Sequence, residues 1–268
     1  MSHIQMSKRA VRAGGMLLIL ATASVLAPMA AAGELPKAED LINKQIKALG
    51  GEKALRKIKN RVVDGKFEIA SQGLSGKAHI IGAAPNQFRA TIELGEMGTI
   101  QRGASGETAW EVSMMMGARL LEGGERDMLL RESDFYSNIN WKKHYKSART
   151  DRAEDVAGKP AYVVVVTPNS GKDESWYFDK KTGLLVKTES VIATQMGEIP
   201  MINLISDYRV VDGIKLPFKS AQQIMGMEQV LTIEKVEQNA KLAPDAFTLP
   251  DDIKALVKDA KSADEKTP

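Results

Sequence analysis

Glu174-Ser-Trp-Tyr-Phe-Asp-Lys-Lys-Thr-Gly-Leu-Leu-Val-Lys187 and Ser206-Asp-Tyr-Arg-Val-Val-Asp-Gly-Ile-Lys-Leu-Pro-Phe218 each read as a strand, a tight turn and a returning strand. In the first, Trp176 and Phe178 alternate with polar neighbours, and Asp179-Lys-Lys-Thr-Gly183 supplies an aspartate to open the loop and a glycine able to take φ > 0. The second turns at Asp212-Gly213, a dipeptide suited to a type I′ turn because both central residues need φ > 0. Two linked hairpins predict a meandering antiparallel sheet.

The same period of two extends in both directions. Segments near 61–71, 76–83, 87–95, 97–103 and 107–113 alternate apolar and polar residues and are separated by Gly73, Pro85-Asn86, Gly95 and the Gly103 to Gly106 stretch. Strands are also expected at Ala161 to Thr167, where Tyr162-Val-Val-Val-Val166 reads as covered on both faces, and near 174–179, 184–195, 198–211, 215–226 and 228–238. Helical spacing appears at Leu35, Ala38, Leu41, Ile42, Gln45, Ile46 and Leu49, ended by Gly50-Gly51, with a short second helix around Ala54, Leu55 and Ile58. It returns between Gly123 and Lys146, where Met128, Leu129, Leu130, Phe135 and Tyr136 stand out. The predicted class is α+β, mainly β: about ten or eleven antiparallel strands curled around N-terminal and middle helices. A sheet that long curls, and its apolar concave face is filled either by those helices or by a ligand.

Residues 1–32 read as a secretory signal peptide. Lys8, Arg9 and Arg12 form a positive start, Met16 to Met29 is mostly apolar, and Ala30-Ala31-Ala32 offers a cleavage site. The apolar run is shorter than a membrane span requires, and Pro28 interrupts it. Residues 33–250 are then expected to form one domain, large enough for a sizeable core, and 251–268 a charged flexible tail with a helical turn around Ile253, Leu256 and Val257. Setting the three leader cations aside leaves basic and acidic residues balanced at 34 each, which argues against nucleic acid as a partner. The chain has no cysteine, so disulfides, thiolate metal sites and a lipidated cysteine anchor are excluded. The expected localisation is periplasmic, after signal-peptide cleavage.

Catalytic signals are sparse. Beyond residue 32 only His79 and His144 remain, far apart and outside any metal-ligand spacing, and each reads as a surface or satisfied histidine. The serines in Gly73-Leu-Ser-Gly76 and Gly103-Ala-Ser-Gly106 belong to hairpin turns, and the carboxylates form no convincing acid/base pair. No enzyme, metal or cofactor is expected. Two basic stretches, Lys53 to Arg61 and Lys142 to Arg152, read as solvated faces or as steering surfaces for acidic partners, the second partly neutralised by Asp151, Glu154 and Asp155.

Taken in order, Leu49-Gly-Gly-Glu-Lys-Ala-Leu-Arg-Lys-Ile58 followed by Asp64-Gly-Lys-Phe67, Gly106-Glu-Thr-Ala-Trp110, Ser133-Asp-Phe135 to Tyr145 and the hairpins at Asp179–Gly183 and Asp207–Phe218 resemble the LolA/LolB superfamily of periplasmic lipoprotein carriers, especially outer-membrane lipoprotein-sorting proteins. The resemblance covers most of the chain beyond residue 32. It implies an open half-barrel around helices that act as a lid, with an apolar cavity for acyl chains. The function it implies is a periplasmic carrier moving lipid or lipoprotein toward the outer membrane, with a lipid or acylated protein as cargo and an inner- or outer-membrane transport partner. The alternative is an envelope regulatory or scaffold module that uses the same fold to sense lipid or bind a protein. An acyl chain needs a concave apolar surface, and the candidate lining residues are Phe67, Ile69, Ile81, Phe88, Ile92, Leu94, Trp110, Met115, Trp176, Phe178, Val186 and Leu204. The same residues would also serve as ordinary core between sheet and helices. Met115 belongs to the run Met114-Met115-Met116, whose flexible thioethers suit either a variable cavity or a mobile loop tip.

Overall fold

Both hairpins form as their turn residues dictate. Asp179 Oδ1 accepts hydrogen bonds from the Thr182 amide (2.6 Å) and hydroxyl (2.7 Å), and Gly183 takes φ +74° as its amide bonds back to Asp179 O at 2.8 Å. At the second turn Asp212 and Gly213 have φ +49° and +79°, as a type I′ turn requires.

The computed structural model describes residues 34–194 and 197–264; the leader read over residues 1–32 lies outside them, as do residues 265–268. In chain order the elements are α1 (Ala38–Leu49), α2 (Glu52–Leu55), β1 (Asn60–Ile69), β2 (Leu74–Ala83), β3 (Gln87–Glu93), β4 (Thr99–Ser105), β5 (Thr108–Ser113), β6 (Gly117–Leu120), α3 (Gly123–Ser133), α4 (Trp141–His144), β7 (Tyr145–Val156), β8 (Lys159–Pro168), β9 (Glu174–Asp179), β10 (Leu185–Thr194), β11 (Gly197–Val211), β12 (Ile214–Ile224), β13 (Met227–Gln238) and α5 (Asp251–Asp264). The strands make one antiparallel sheet, ordered β6-β5-β4-β3-β2-β1-β13-β12-β11-β10-β9-β8-β7 and not closed on itself. Two meanders, β1 to β6 and β7 to β13, thus join where the first strand pairs with the last.

Helices cover one face of this curved sheet. Ala38, Leu41 and Ile42 of α1 pack with Trp141 onto Val164, Val166 and Phe178, and α1 reaches from β7 to β12. Helix α3 crosses the sheet, touching β10 on one side and β4 and β5 on the other. Leu129 anchors its second half among Ala104, Ala109 and Leu121. In its first turn, a Cβ on Gly124 would lie 2.8 Å from the carbonyl oxygen of Ala193, so the helix rests directly on the β10 backbone.

Thirteen strands form rather than ten or eleven, because two were unread. β6 is only four residues long. β7 is the sheet edge and carries Lys146, Arg149 and Arg152 on solvated positions, while bulges between Tyr145 and Ser147 and between Thr150 and Arg152 break its period of two. The helical reading of 123–146 is correspondingly shortened to α3 and the single turn α4. At the other end, the turn expected around Ile253 extends into the 14 residues of α5, with Ile253 fully buried.

Candidate functional site

Because α3 bridges the curved sheet instead of filling it, space remains on either side of the helix. One chamber, of about 360 Å³, is lined by Phe67 and Ile69 of β1, Ile92 of β3, Ile100 of β4, Ile192 of β10, Ile199 and Met201 of β11, Ile224 of β12 and Met128 of α3. A second, of about 330 Å³, lies beneath α1, α2 and the 134–140 loop, among Leu49, Leu55, Phe135, Ile139, Leu185, Ile205, Tyr208 and Leu216. A narrower space of about 200 Å³ shares Asn138 and Leu185 with the second chamber and Met128 and Met201 with the first. The three lie side by side under the helices, and together they are called the hollow below. Each larger chamber is already in the range of small-ligand pockets, and the lining is mostly apolar.

Several of the charged groups of the hollow are paired with one another. At the edge of the first chamber, Arg119 grips Glu125 of α3 through two bonds of 2.9 Å and also donates to Glu111 at 3.3 Å. The bond from Arg119 holds the Glu125 carboxyl below the usual carboxylate range. In the middle, Glu174 accepts from Arg131 (2.8 Å), Tyr145 (3.0 Å) and Trp176 (3.3 Å). Burial, with the nearby Glu174 charge, pushes the Tyr145 phenol well above its ordinary value. Buried Asp134 accepts from the Tyr136 amide at 3.0 Å and pairs with His144 Nε2 at 2.8 Å, which makes His144 the satisfied histidine expected. His79 pairs with Asp64 at 2.6 Å on the surface. Glu132 differs from all of these: it borders the narrow middle space with no ion pair among the described residues, and desolvation by the surrounding protein pushes its carboxyl up.

Four of the twelve candidate residues border the hollow: Phe67, Ile69 and Ile92 in the first chamber and Trp176 in the middle. Phe178 and Phe88 lie on the same face but are packed under helices, Phe178 against α1 and Phe88 against the Leu129 cluster, and Leu94 is buried beside Gly76. The structure does not bring the others to the hollow. Val186 and Leu204 pack on the opposite face with Val163 and Tyr177. Trp110 falls between Ala109 and Glu111, both of which face α3, so strand alternation turns it away. It is buried there under the Arg89 guanidinium, 5.8 Å from its ring centre, with Arg89 bonded at 3.5 Å to Thr248 O in the segment leading to α5. Ile81 pairs with Arg89 and shares that face. Met115, 84% exposed, is the tip of the β5–β6 hairpin.

Sequence reasoning missed Ile100, Ile192, Ile199, Met201, Ile205, Ile224 and Met128. In β11 the alternation is visible in the sequence, but Asn203 and Ile205 face inward while Leu204 lies on the opposite face. A one-residue choice of phase inverts a strand's faces. Arg61, read as part of a solvated basic stretch, points into the second chamber.

Among the described residues, no group of three His, Asp or Glu side chains could hold a metal ion, and no helix is long and apolar enough to cross a membrane. No family model and no curated protein matches the chain in sequence. Solved structures do match. A LolA superfamily protein from Nitrosomonas europaea superposes with a TM-score of 0.54 at 12% identity, over 80% of this chain and 99% of the other. The chain has a LolA-like fold. An outer membrane lipoprotein-sorting protein domain from Vibrio parahaemolyticus gives 0.53 at 11% identity over 82% and 99% of the two chains. A DUF1329 family protein from Desulfovibrio piger gives 0.54 at 11% identity over 78% and 96%. At these identities what is shared is the LolA-like architecture, an open antiparallel sheet with helices on one face.

Proposed function

We propose that this protein is a periplasmic carrier that shelters the acyl chains of a lipid or lipoprotein in the hollow beneath α3 and passes them toward the outer membrane. One observation carries the reading: a LolA-like sheet leaves largely apolar chambers of about 360 and 330 Å³, with a narrower space bordering both, between itself and its helices. Sequestering methylenes from water supplies roughly 0.8 kcal/mol each, so twelve of them contribute on the order of 10 kcal/mol before ordering costs. No directional partner is needed along the tail. Methionines 128 and 201, where the narrow middle meets the first chamber, suit tails of differing shape.

The test is direct. The chain lacking residues 1–32 is purified, extracted with organic solvent and examined by mass spectrometry, and its uptake of a fluorescent acyl probe is titrated. The expected result is co-purifying acyl lipid and saturable probe binding that falls at least tenfold when Ile192→Trp fills the first chamber. A wild-type protein that carries no lipid and takes up no probe would refute the carrier reading.

A further inference from the structure

Arg61 is a half-buried cation of the second chamber to which the fold gives no counter-charge among the described residues. It stands on β1 beside Gly82 of β2 and Gln238 of β13, and its guanidinium lies over the Phe135 ring, 5.6 Å from the ring centre. Among the described residues no carboxylate pairs with it, and its buried Nε has no hydrogen-bond partner. The Oε1 of neighbouring Gln238 is buried and unpartnered too. The remaining lining of the chamber adds Lys215 and the neutral groups of Gln45, Tyr136, Asn138 and Tyr208, with no acidic residue. Desolvation draws the guanidinium down to about 10, which still leaves it fully charged at neutral pH. A buried charge with no partner is costly to the folded protein unless a ligand satisfies it. The other guanidiniums of the hollow, Arg102, Arg119 and Arg131, each have a glutamate beside them, Arg102 at 3.5 Å from Glu111 although its Nε too lacks a hydrogen bond.

We infer that the chamber beneath α1, α2 and the 134–140 loop receives the oxyanion head of an anionic amphiphile, a carboxylate or phosphate, against Arg61, with its tail running through the middle of the hollow toward Phe67 and Ile192. The inference rests on the carrier reading and gives the cargo a polarity: charged head at Arg61, tail beneath α3. The flat guanidinium provides paired donors matching either oxyanion, and Phe135 holds it in place from one side.

The experiment compares dodecanoate, dodecyl phosphate and dodecanol as competitors of a neutral acyl probe, on the wild-type chain lacking residues 1–32 and on Arg61→Gln. A charge-assisted head contact should make both anions at least tenfold tighter than the alcohol in wild type. In Arg61→Gln that preference should vanish while dodecanol binding is unchanged. Equal binding of the three in wild type, or a preference that survives Arg61→Gln, would overturn the inference, and so would inorganic phosphate alone competing as well as dodecyl phosphate. Failure of all three amphiphiles to compete would instead count against the carrier reading itself. Arg61→Gln relieves a buried charge, so its thermal midpoint should match or exceed wild type. Lys215→Gln serves as a second variant, and a preference that falls with it but not with Arg61→Gln would move the head site away from Arg61.

Discussion

Individual side chains in this protein divide sharply between those that hold the sheet together and those that border empty space. Trp110 belongs to the first kind: Gly103 across the strand pair has no side chain, and a Cβ there would come within 2.4 Å of the indole. Gly103→Ala should therefore cost about 1–3 kcal/mol in denaturant unfolding, and Trp110→Ala about 3–5 kcal/mol, with acyl-probe affinity unchanged because this face is turned from the hollow. Glu125 shows a charge working for the fold. Its carboxyl is held down chiefly by the Arg119 bond, so it contributes stability that is present above the unfolded carboxylate value of about 4.3 and is lost as pH falls through its lower folded value. Unfolding free energies of wild type and Glu125→Gln should differ at pH 7 and converge at acid pH. Glu132 has the opposite sign. Desolvation by the protein around it raises it, so the folded state is penalised once pH rises past the unfolded value, and Glu132→Gln should stabilise the protein at pH 7 but not at pH 4. A Glu132→Gln variant that is less stable at both pH values would contradict that account.

Among the elements, α3 decides what the sheet encloses. Leu129 and Ser133 are its buried residues; it is held by Leu129 against β4 and β5, by the Gly124 turn against β10, and by the Arg119–Glu125 and Arg131–Glu174 pairs. Leu129→Ala should cost about 2–5 kcal/mol globally and, measured by hydrogen exchange, should deprotect α3 amides more than those of α1. The edge strand β7 is the counterpart on the sheet, where Arg149 and Arg152 are paired with Asp151 and Glu154 at the surface. Its charge is a solvated edge that discourages further strand pairing.

For the whole molecule, the two faces of the sheet serve different ends. One is left partly hollow under α1 and α3; the other is closed, by long charged side chains over Tyr177 and by the segment running into α5 over Trp110. Tyr177 is almost fully buried although it lies on the outer face, its hydroxyl donating to Glu189 at 2.8 Å under the Lys187 ammonium. Helix α5 packs on β6, and Ile253→Ala should lower stability by about 2–4 kcal/mol without altering cargo capacity, read as lipid recovered per mole of protein. Loss of lipid in that variant at a temperature where it remains folded would tie α5 to the hollow after all.

The sequence by itself determined the meander. Asp179 to Gly183 and Asp212-Gly213 carry their turn geometry in their own covalent chemistry, and strands with period two between such turns pair with their neighbours in order. It also held the α1 pattern, whose Leu41 and Ile42 are buried as their spacing requires. What the sequence did not contain was the phase of several strands and the place where the helices stop filling the curve. Leu204 and Ile205 are equally apolar, and only the curvature of the sheet and the position of α3 decide which faces a chamber and which faces Tyr177. Arg61 and Arg56 likewise read as one basic stretch. Tertiary structure alone leaves Arg56 at the surface with Glu52 and turns Arg61 inward without a carboxylate, because burial and pairing depend on residues distant along the chain.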